Sequence, residues 1–313
     1  MELFSIPQTL LFAIFALFGL LSLASVLIWY MDKLHQKKDH TELKQRVKSW
    51  WVMVSVFSAA LLVSETVSLA MFAMISFLAL KEYFSLIPTR RADRRVLFWA
   101  YLSIPLQYYW VSIGWYGMFI IFIPVYLFLL LPTRMILIGE TKRFLSSLAT
   151  IQWGLMTLVF SISHVAFLLS LPEETNPVAG GAGLVLFLVF LTQFNDVAQY
   201  TWGKLFGKIK IVPKVSPNKT WEGFLGGAVT TTAVAVSIAA YLTPLDAIQA
   251  MAAGILISTS GFMGDVTISA LKRDIGVKDS GNLLPGHGGI LDRIDSLTFS
   301  APLFFHFIYY LYY

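Results

Sequence analysis

Long apolar runs alternate with short polar and basic ones along this chain, and each apolar run is as long as one or two membrane crossings. Apolar intervals cover 9–30, 50–80, 96–132, 144–202, 221–271 and 297–312. The four interior intervals each carry a turn signal near the middle: Ser64-Glu65-Thr66, then Gly114 and Gly117, then Pro172-Glu173-Glu174-Thr175-Asn176-Pro177, then Thr243-Pro244-Leu245-Asp246. Folding these four into hairpins and adding one crossing at each end predicts an all-α, polytopic membrane protein of about ten transmembrane helices. The 50–80 hairpin is the shortest. Its halves of about 15 residues rise about 22 Å, less than a hydrocarbon core of ~30 Å, which leaves a re-entrant hairpin open.

Composition agrees with that pattern. Of 313 residues, 57% are hydrophobic and 13% charged, with 25 Phe, 9 Trp and 13 Tyr, and the mean hydropathy is +0.71. Too little polar surface remains to cover a water-facing globule, so a soluble monomer is excluded. Cysteine is absent, which removes disulfides, thiolate metal sites and cysteine nucleophiles. No cleaved leader is expected, because Glu2 and no basic residue precede the first apolar run.

The net charge of +5 matters through its distribution. All 23 Lys and Arg residues fall in five clusters, at 32–48, 81–95, 134–143, 204–219 and 272–293. The positive-inside rule puts all five on the cytoplasmic side, with an even number of crossings between neighbours and both termini outside. The outside loops then carry Glu2, Glu65, Glu173, Glu174 and Asp246 and no Lys or Arg.

Candidate chemistry is confined to the second half. Residues 1–145 read as an apolar scaffold of about five spans. Residues 146–313 place acids inside spans and read as the catalytic region. Asp196 lies eight residues before Lys204, about 12 Å from the basic end at 1.5 Å per residue. Asp265 lies seven residues before Lys272, about 10 Å from the same end. A carboxylate at that depth needs a cation or an aqueous cavity. No Lys or Arg is expected there, so the two acids point to one functional site.

Two loops supply the partners. Ser269 to Asp295 combines Lys272, Arg273, Lys278 and Arg293 with Pro285-Gly286-His287-Gly288-Gly289, a glycine-rich centre whose N–H groups can approach an anion. Asp292 and Asp295 are three apart, hence on one helical face, a spacing that suits shared oxygen ligation of a hard cation such as Mg²⁺, with Arg293 pointing away. The second loop, Val215-Ser216-Pro217-Asn218-Lys219-Thr220-Trp221-Glu222-Gly223, puts a potential cap, Thr220, and Lys219 at a helix start, either a phosphate seat or a plain capped turn. Gly223, Gly226 and Gly227 read as helix-packing positions.

The segment Ser269–Asp295 resembles over its whole length the diagnostic motif of the phosphatidate cytidylyltransferases, or CDP-diacylglycerol synthases, of bacterial type. Asn195-Asp196 with Gly203 and Phe206-Gly207, and Ser216-Pro217-Asn218-Lys219-Thr220 with Glu222-Gly223, are similar to further family segments in the same order. The resemblance implies an Mg²⁺-dependent transfer of CMP from CTP to phosphatidic acid in the bilayer, with release of pyrophosphate, in phospholipid biosynthesis at a bacterial inner membrane. It implies metal ligation by Asp196, Asp265, Asp292 and Asp295, with a second metal position open, and catalytic roles for Asp265, Lys272, Arg273, Asp292 and Arg293. Ser216, Asn218, Lys219, Thr220, Lys278, His287, Gly288 and Gly289 are implied at the substrates, His287 as a turn-shaping residue rather than a base. Membrane lipids are the expected surroundings, nucleic acid is not an expected partner, and a homodimer is compatible with this reading. Gln199 departs from the small residue that commonly precedes the family's Tyr, and leaves a paralogue acting on a different lipid phosphate as an alternative. The competing class is an ion-coupled transporter, which predicts acids at the bilayer centre. A CDP-alcohol phosphotransferase is disfavoured, since the chain has no Asp-Gly pair.

Overall fold

The computed structural model describes residues 7–34, 41–88, 94–139, 141–281 and 288–313. They fold into helices placed where the crossings were expected: α1 Gln8–Leu34, α2 Thr41–Val63, α3 Glu65–Leu86, α4 Arg94–Ser112, α5 Tyr116–Ile136, α6 Phe144–Phe167, α7 Gly180–Phe206, α8 Trp221–Leu242 and α9 Ala247–Asp274, then the single-turn α10 Leu291–Ile294 and α11 Leu297–Tyr312. No β-sheet forms among the described residues. This is an all-α, multi-pass membrane protein.

Eight of these helices are long and apolar enough to cross a bilayer. The other three are α4, which opens on Arg94-Arg95 and carries Pro105 and Gln107, the single-turn α10, and α11, whose 16 residues span about 24 Å. The first hairpin is longer than its apolar core suggests. Both helices draw in polar flanks, α2 from Thr41 and α3 as far as Leu86, to reach 23 and 22 residues, about 33 Å each. Re-entrance is therefore not needed. Ser64 separates them in extended backbone, and its side chain accepts the Val67 N–H to cap α3.

The turn signals all gather at one end of the bundle. Thr9 Oγ1 donates to the Val178 carbonyl, Ser170 Oγ to Glu65 Oε1, Asn176 Nδ2 to the Leu242 carbonyl and Tyr312 OH to the Pro244 carbonyl. The starts of α1 and α3 and the ends of α8 and α11 are thereby joined, as an even number of crossings between basic clusters requires.

Packing is tightest between α7 and α8. A side chain on Gly223 would strike the Gln199 carbonyl, and one on Gly227 the Gln199 backbone and side chain. The absence of Cβ atoms lets the two helices approach closely, as small residues do in membranes, and brings Gln199 and Asp196 of α7 towards the start of α8. Helices α9 and α11 close the other sides of that bundle.

Candidate active site

The loop between α7 and α8 is folded, and its fold aims Lys219. Glu222 accepts the Lys208 N–H at 3.0 Å and the Ile209 N–H at 3.2 Å. The Trp221 N–H donates to the Ile209 carbonyl, the Ile211 N–H to the Lys219 carbonyl, and Lys210 bridges Thr220. Thr220, itself buried, caps α8 by accepting the Gly223 N–H at 3.2 Å. The result is a small hairpin lying back across the helix end.

Lys219 therefore reaches the acids inside the spans. Its Nζ is 2.5 Å from Asp265 Oδ2 and 3.5 Å from Gln199 Oε1. This corrects the expectation that no cation is available at that depth: counting residues from a helix end locates helical side chains but not a loop that folds inward. Burial pulls the Lys219 ammonium down, but the charges of Asp265 and Asp196 outweigh it and raise it above the usual lysine value. Asp196 is held on its other side by Ser296 Oγ, at 3.0 and 3.1 Å from its two oxygens.

A second ion pair lies nearby. Lys272, at the end of α9, donates to Asp292 Oδ1 at 2.7 Å, and both side chains are nearly buried. Asp292 Oδ2 accepts the Ser280 N–H at 2.9 Å and the Gly289 N–H at 3.1 Å. Burial pushes the Asp292 carboxyl up, but the hydrogen bond and charge of Lys272, with these two amides, hold it below the usual carboxylate range. Gly288 adopts φ +81°, and a side chain there would run into Asp292. The glycines expected to cradle a substrate anion thus wrap one of the protein's own carboxylates.

Asp196, Lys219, Asp265, Lys272, Asp292, Arg293 and Asp295 line one cavity of about 310 Å³ together with Gln193 and Asp279. Seven sequence-predicted residues therefore share a site. Arg293 is among them, although helical spacing turned it away from the two aspartates: α10 ends at Ile294 after a single turn, and its Leu291 and Ile294 are buried while Asp292 and Arg293 line the cavity. Five carboxyl groups face three cations, two more acids than cations. Asp295 registers that crowding, since burial first and then the charges of Asp265 and Asp196 push its carboxyl well above the usual range. Among the described residues, no three acidic or histidine side chains stand in ligating geometry. Asp292 is engaged as above, and Lys219 sits beside Asp265 where a cation would offset its charge.

Other expected residues stand outside the cavity. Arg273 is exposed and braces two loops, its Nε donating to the Val215 carbonyl and Nη1 to the Val277 carbonyl, each at 3.3 Å. Asn218 and Lys278 are exposed, and Ser216 is half-buried. Gly288 and Gly289 contact Asp292 rather than lining the cavity. His287 lies outside the described residues. The sequence reading missed Gln193, whose Nε2 donates to the Arg293 carbonyl. It also missed Glu82 of α3, whose carboxylate accepts the N–H groups of Ile290 and Leu291.

The model of the cytidylyltransferase family matches residues 44–311. This chain belongs to that family. It is 48% identical over 294 residues to uncharacterized protein YnbB of Escherichia coli (strain K12), covering 94% of this chain and 96% of that protein. It is 45% identical over 124 residues to the phosphatidate cytidylyltransferase of Mycobacterium leprae, 39% of each chain. With that of Haemophilus influenzae it shares 40% over 147 residues, 45% of this chain and 51% of the other. The match thus spans about half or less of the phosphatidate cytidylyltransferases' length. Cytidylyltransferases are nucleotidyltransferases, which sets the chain among enzymes rather than ion-coupled carriers.

Proposed function

We propose that this cytidylyltransferase transfers CMP from CTP to phosphatidic acid, giving CDP-diacylglycerol and pyrophosphate. The observation that carries this reading is the convergence of Lys219, Lys272 and Arg293 with Asp196, Asp265 and Asp295 on one cavity at the basic end of a membrane bundle. An oxygen of the lipid phosphate forms a bond to the α-phosphorus of CTP. The bond from that phosphorus to the bridging oxygen breaks, and its electron pair leaves with pyrophosphate. A phosphate monoester, with a second pKa near 6, is largely a dianion at neutral pH, so no general base is required. Alignment and charge neutralisation are what the protein must supply, and the three cations stand where phosphates would meet them.

The donor chemistry also fits a hard divalent cation: carboxyl oxygens in a small cavity that holds two more acids than cations. Asp196, Asp265 and Asp295 would hold Mg²⁺, while Asp292 keeps Lys272 in place. When bound, the metal supplies neutralisation of the triphosphate and polarisation of its P–O bonds. The basic loops face the cytoplasm of a bacterial inner membrane on this reading, so CTP enters from water and the lipid from the side. The test supplies purified protein with labelled CTP, phosphatidic acid and Mg²⁺. Label in the lipid fraction is the expected result, and none would refute the assignment.

Gln199 favours a second reading of the acceptor. It is buried beside Lys219, and its Nε2 has no hydrogen-bond partner within the protein. An unpaired donor next to a phosphate-binding lysine fits a lipid phosphate carrying an extra acceptor. Offering other lipid phosphates in competition with phosphatidic acid distinguishes the two.

A further inference from the structure

Glu82 stands near the end of α3, in the half of the chain that reads as scaffold, yet its partners are in the motif. Its Oε2 accepts the Ile290 N–H at 2.9 Å and its Oε1 accepts the Leu291 N–H at 3.1 Å. Both amides lie at the start of α10, immediately before Asp292. The same carboxylate packs against Gly281 and Gly289, on either side of the segment 282–287, and a side chain on Gly289 would overlap it. From the other side, Asp292 Oδ2 takes the Gly289 and Ser280 N–H groups. Backbone on both flanks of that segment is thus gripped between two carboxylates, one from α3 and one from α10.

That arrangement decides where the site acids stand. Glycine backbone has broad conformational freedom, and the Gly288-Gly289 pair just before α10 would let the short helix pivot. A pivot would move Asp292 relative to Lys272, and Asp295 and Arg293 relative to Asp265 and Asp196. Hydrogen bonds to an ionised acceptor are about twice as strong as neutral ones, so two from one carboxylate are a firm anchor. Misplacement of a catalytic group by about 1 Å can lower a rate on the order of a hundredfold.

We infer that Glu82 is a positioning residue for nucleotidyl transfer: its carboxylate seats α10 against α3 and so fixes the distances of Asp292, Arg293 and Asp295 to the rest of the site. The catalytic part of this inference rests on the function proposed above; the anchoring part does not. Glu82 itself is not among the residues that line the cavity.

The experiment is a double-mutant cycle with a readout that needs no substrate. Glu82→Ala should lower kcat at least tenfold with little change in KM for CTP, and Glu82→Gln, which keeps one acceptor oxygen and the shape, should restore part of that loss. Gly289→Ala should cost at least tenfold in the wild-type background and less than twofold further in Glu82→Ala, because the overlap it creates is with Glu82. Hydrogen exchange at the amides of Ile290 and Leu291 should speed up at least tenfold in Glu82→Ala while the α7 and α8 amides keep their protection. If wild-type protein makes no CDP-lipid, the function fails while exchange still reads the anchor. Unchanged exchange at 290 and 291, or losses from the two substitutions that simply multiply, would overturn the inference. Should Glu82→Ala not fold, Glu82→Gln carries the exchange comparison: faster exchange at 290 and 291 than in wild type is expected, and unchanged exchange would overturn the inference.

Discussion

Lys219 Nζ lies 2.5 Å from Asp265 Oδ2, so a loop side chain neutralises an acid set well inside the last long span. Removing one partner of such a pair leaves an uncompensated charge, at a cost of about 3 kcal/mol in a largely buried setting. Lys219→Met should therefore lower the thermal midpoint in metal-free detergent solution. Added Mg²⁺ should restore more of the midpoint in this variant than it adds to wild type, because metal and ammonium offset the same carboxylates. Equal Mg²⁺ responses in the two proteins would separate the metal from Asp265.

Asp292 predicts a loss of rate and a pH signature. Asp292→Asn keeps the shape but gives up the charge that holds Lys272 and two amides, and should cut CDP-lipid formation on the order of a hundredfold. Lys44→Ala, which loses only an exposed pair with Asp32, should leave the rate unchanged. Because the Asp292 carboxyl is held below its usual range, the stability it contributes is fully present above about pH 4 and is lost as pH falls through its lowered value. The gap in thermal midpoint between wild type and Asp292→Asn should be constant from pH 7 to about 5 and close at lower pH. A gap that widens on acidification contradicts the ion pair.

Close approach of α7 and α8 makes Gly227 sensitive to volume. Gly227→Val would push into the Gln199 backbone, and overpacking of this kind costs about 1–3 kcal/mol. Gly19→Val, on the lipid-facing α1 with open space around it, should cost far less. Thermal unfolding followed by tryptophan emission compares the two.

Topology is open to chemical labelling, since the chain has no cysteine of its own. Single cysteines at Glu174 and Lys44, both exposed, should react with an impermeant maleimide from opposite sides of the membrane. Labelling of both from one side would contradict the even crossings.

The helices were legible because the bilayer imposes one strong rule, burial of about 20 apolar residues per crossing, and the five basic clusters mark where the rule stops. The length of the first hairpin was not, because Thr41–Ser49 and Lys81–Leu86 continue helix on polar sequence that an apolar count discards. Within the site, Asp196 and Asp265 were legible from helical rise alone. Lys219 was not, since its depth is set by the hydrogen bonds of Glu222 and Thr220 rather than by distance from a span. Arg273 and Lys278 show the converse: motif residues whose charge suggested phosphate contact, and which lie on the loop surface. Glu82 left no signal, because beside Lys81 at a helix end it reads as ordinary interfacial charge.

The two bonds from Glu82 to the amides of Ile290 and Leu291 also bear on how such a chain can be inherited or engineered. The acids and cations of the cavity all belong to residues 193–295, which invites treating that stretch as a transplantable cassette. A graft of residues 146–313 onto a foreign set of leading helices would carry every cavity side chain and leave behind the carboxylate that seats the last two acids. Such a chimera recovers function only where the recipient offers a carboxylate at the matching turn of its own third helix, so the two halves must be exchanged as a matched pair.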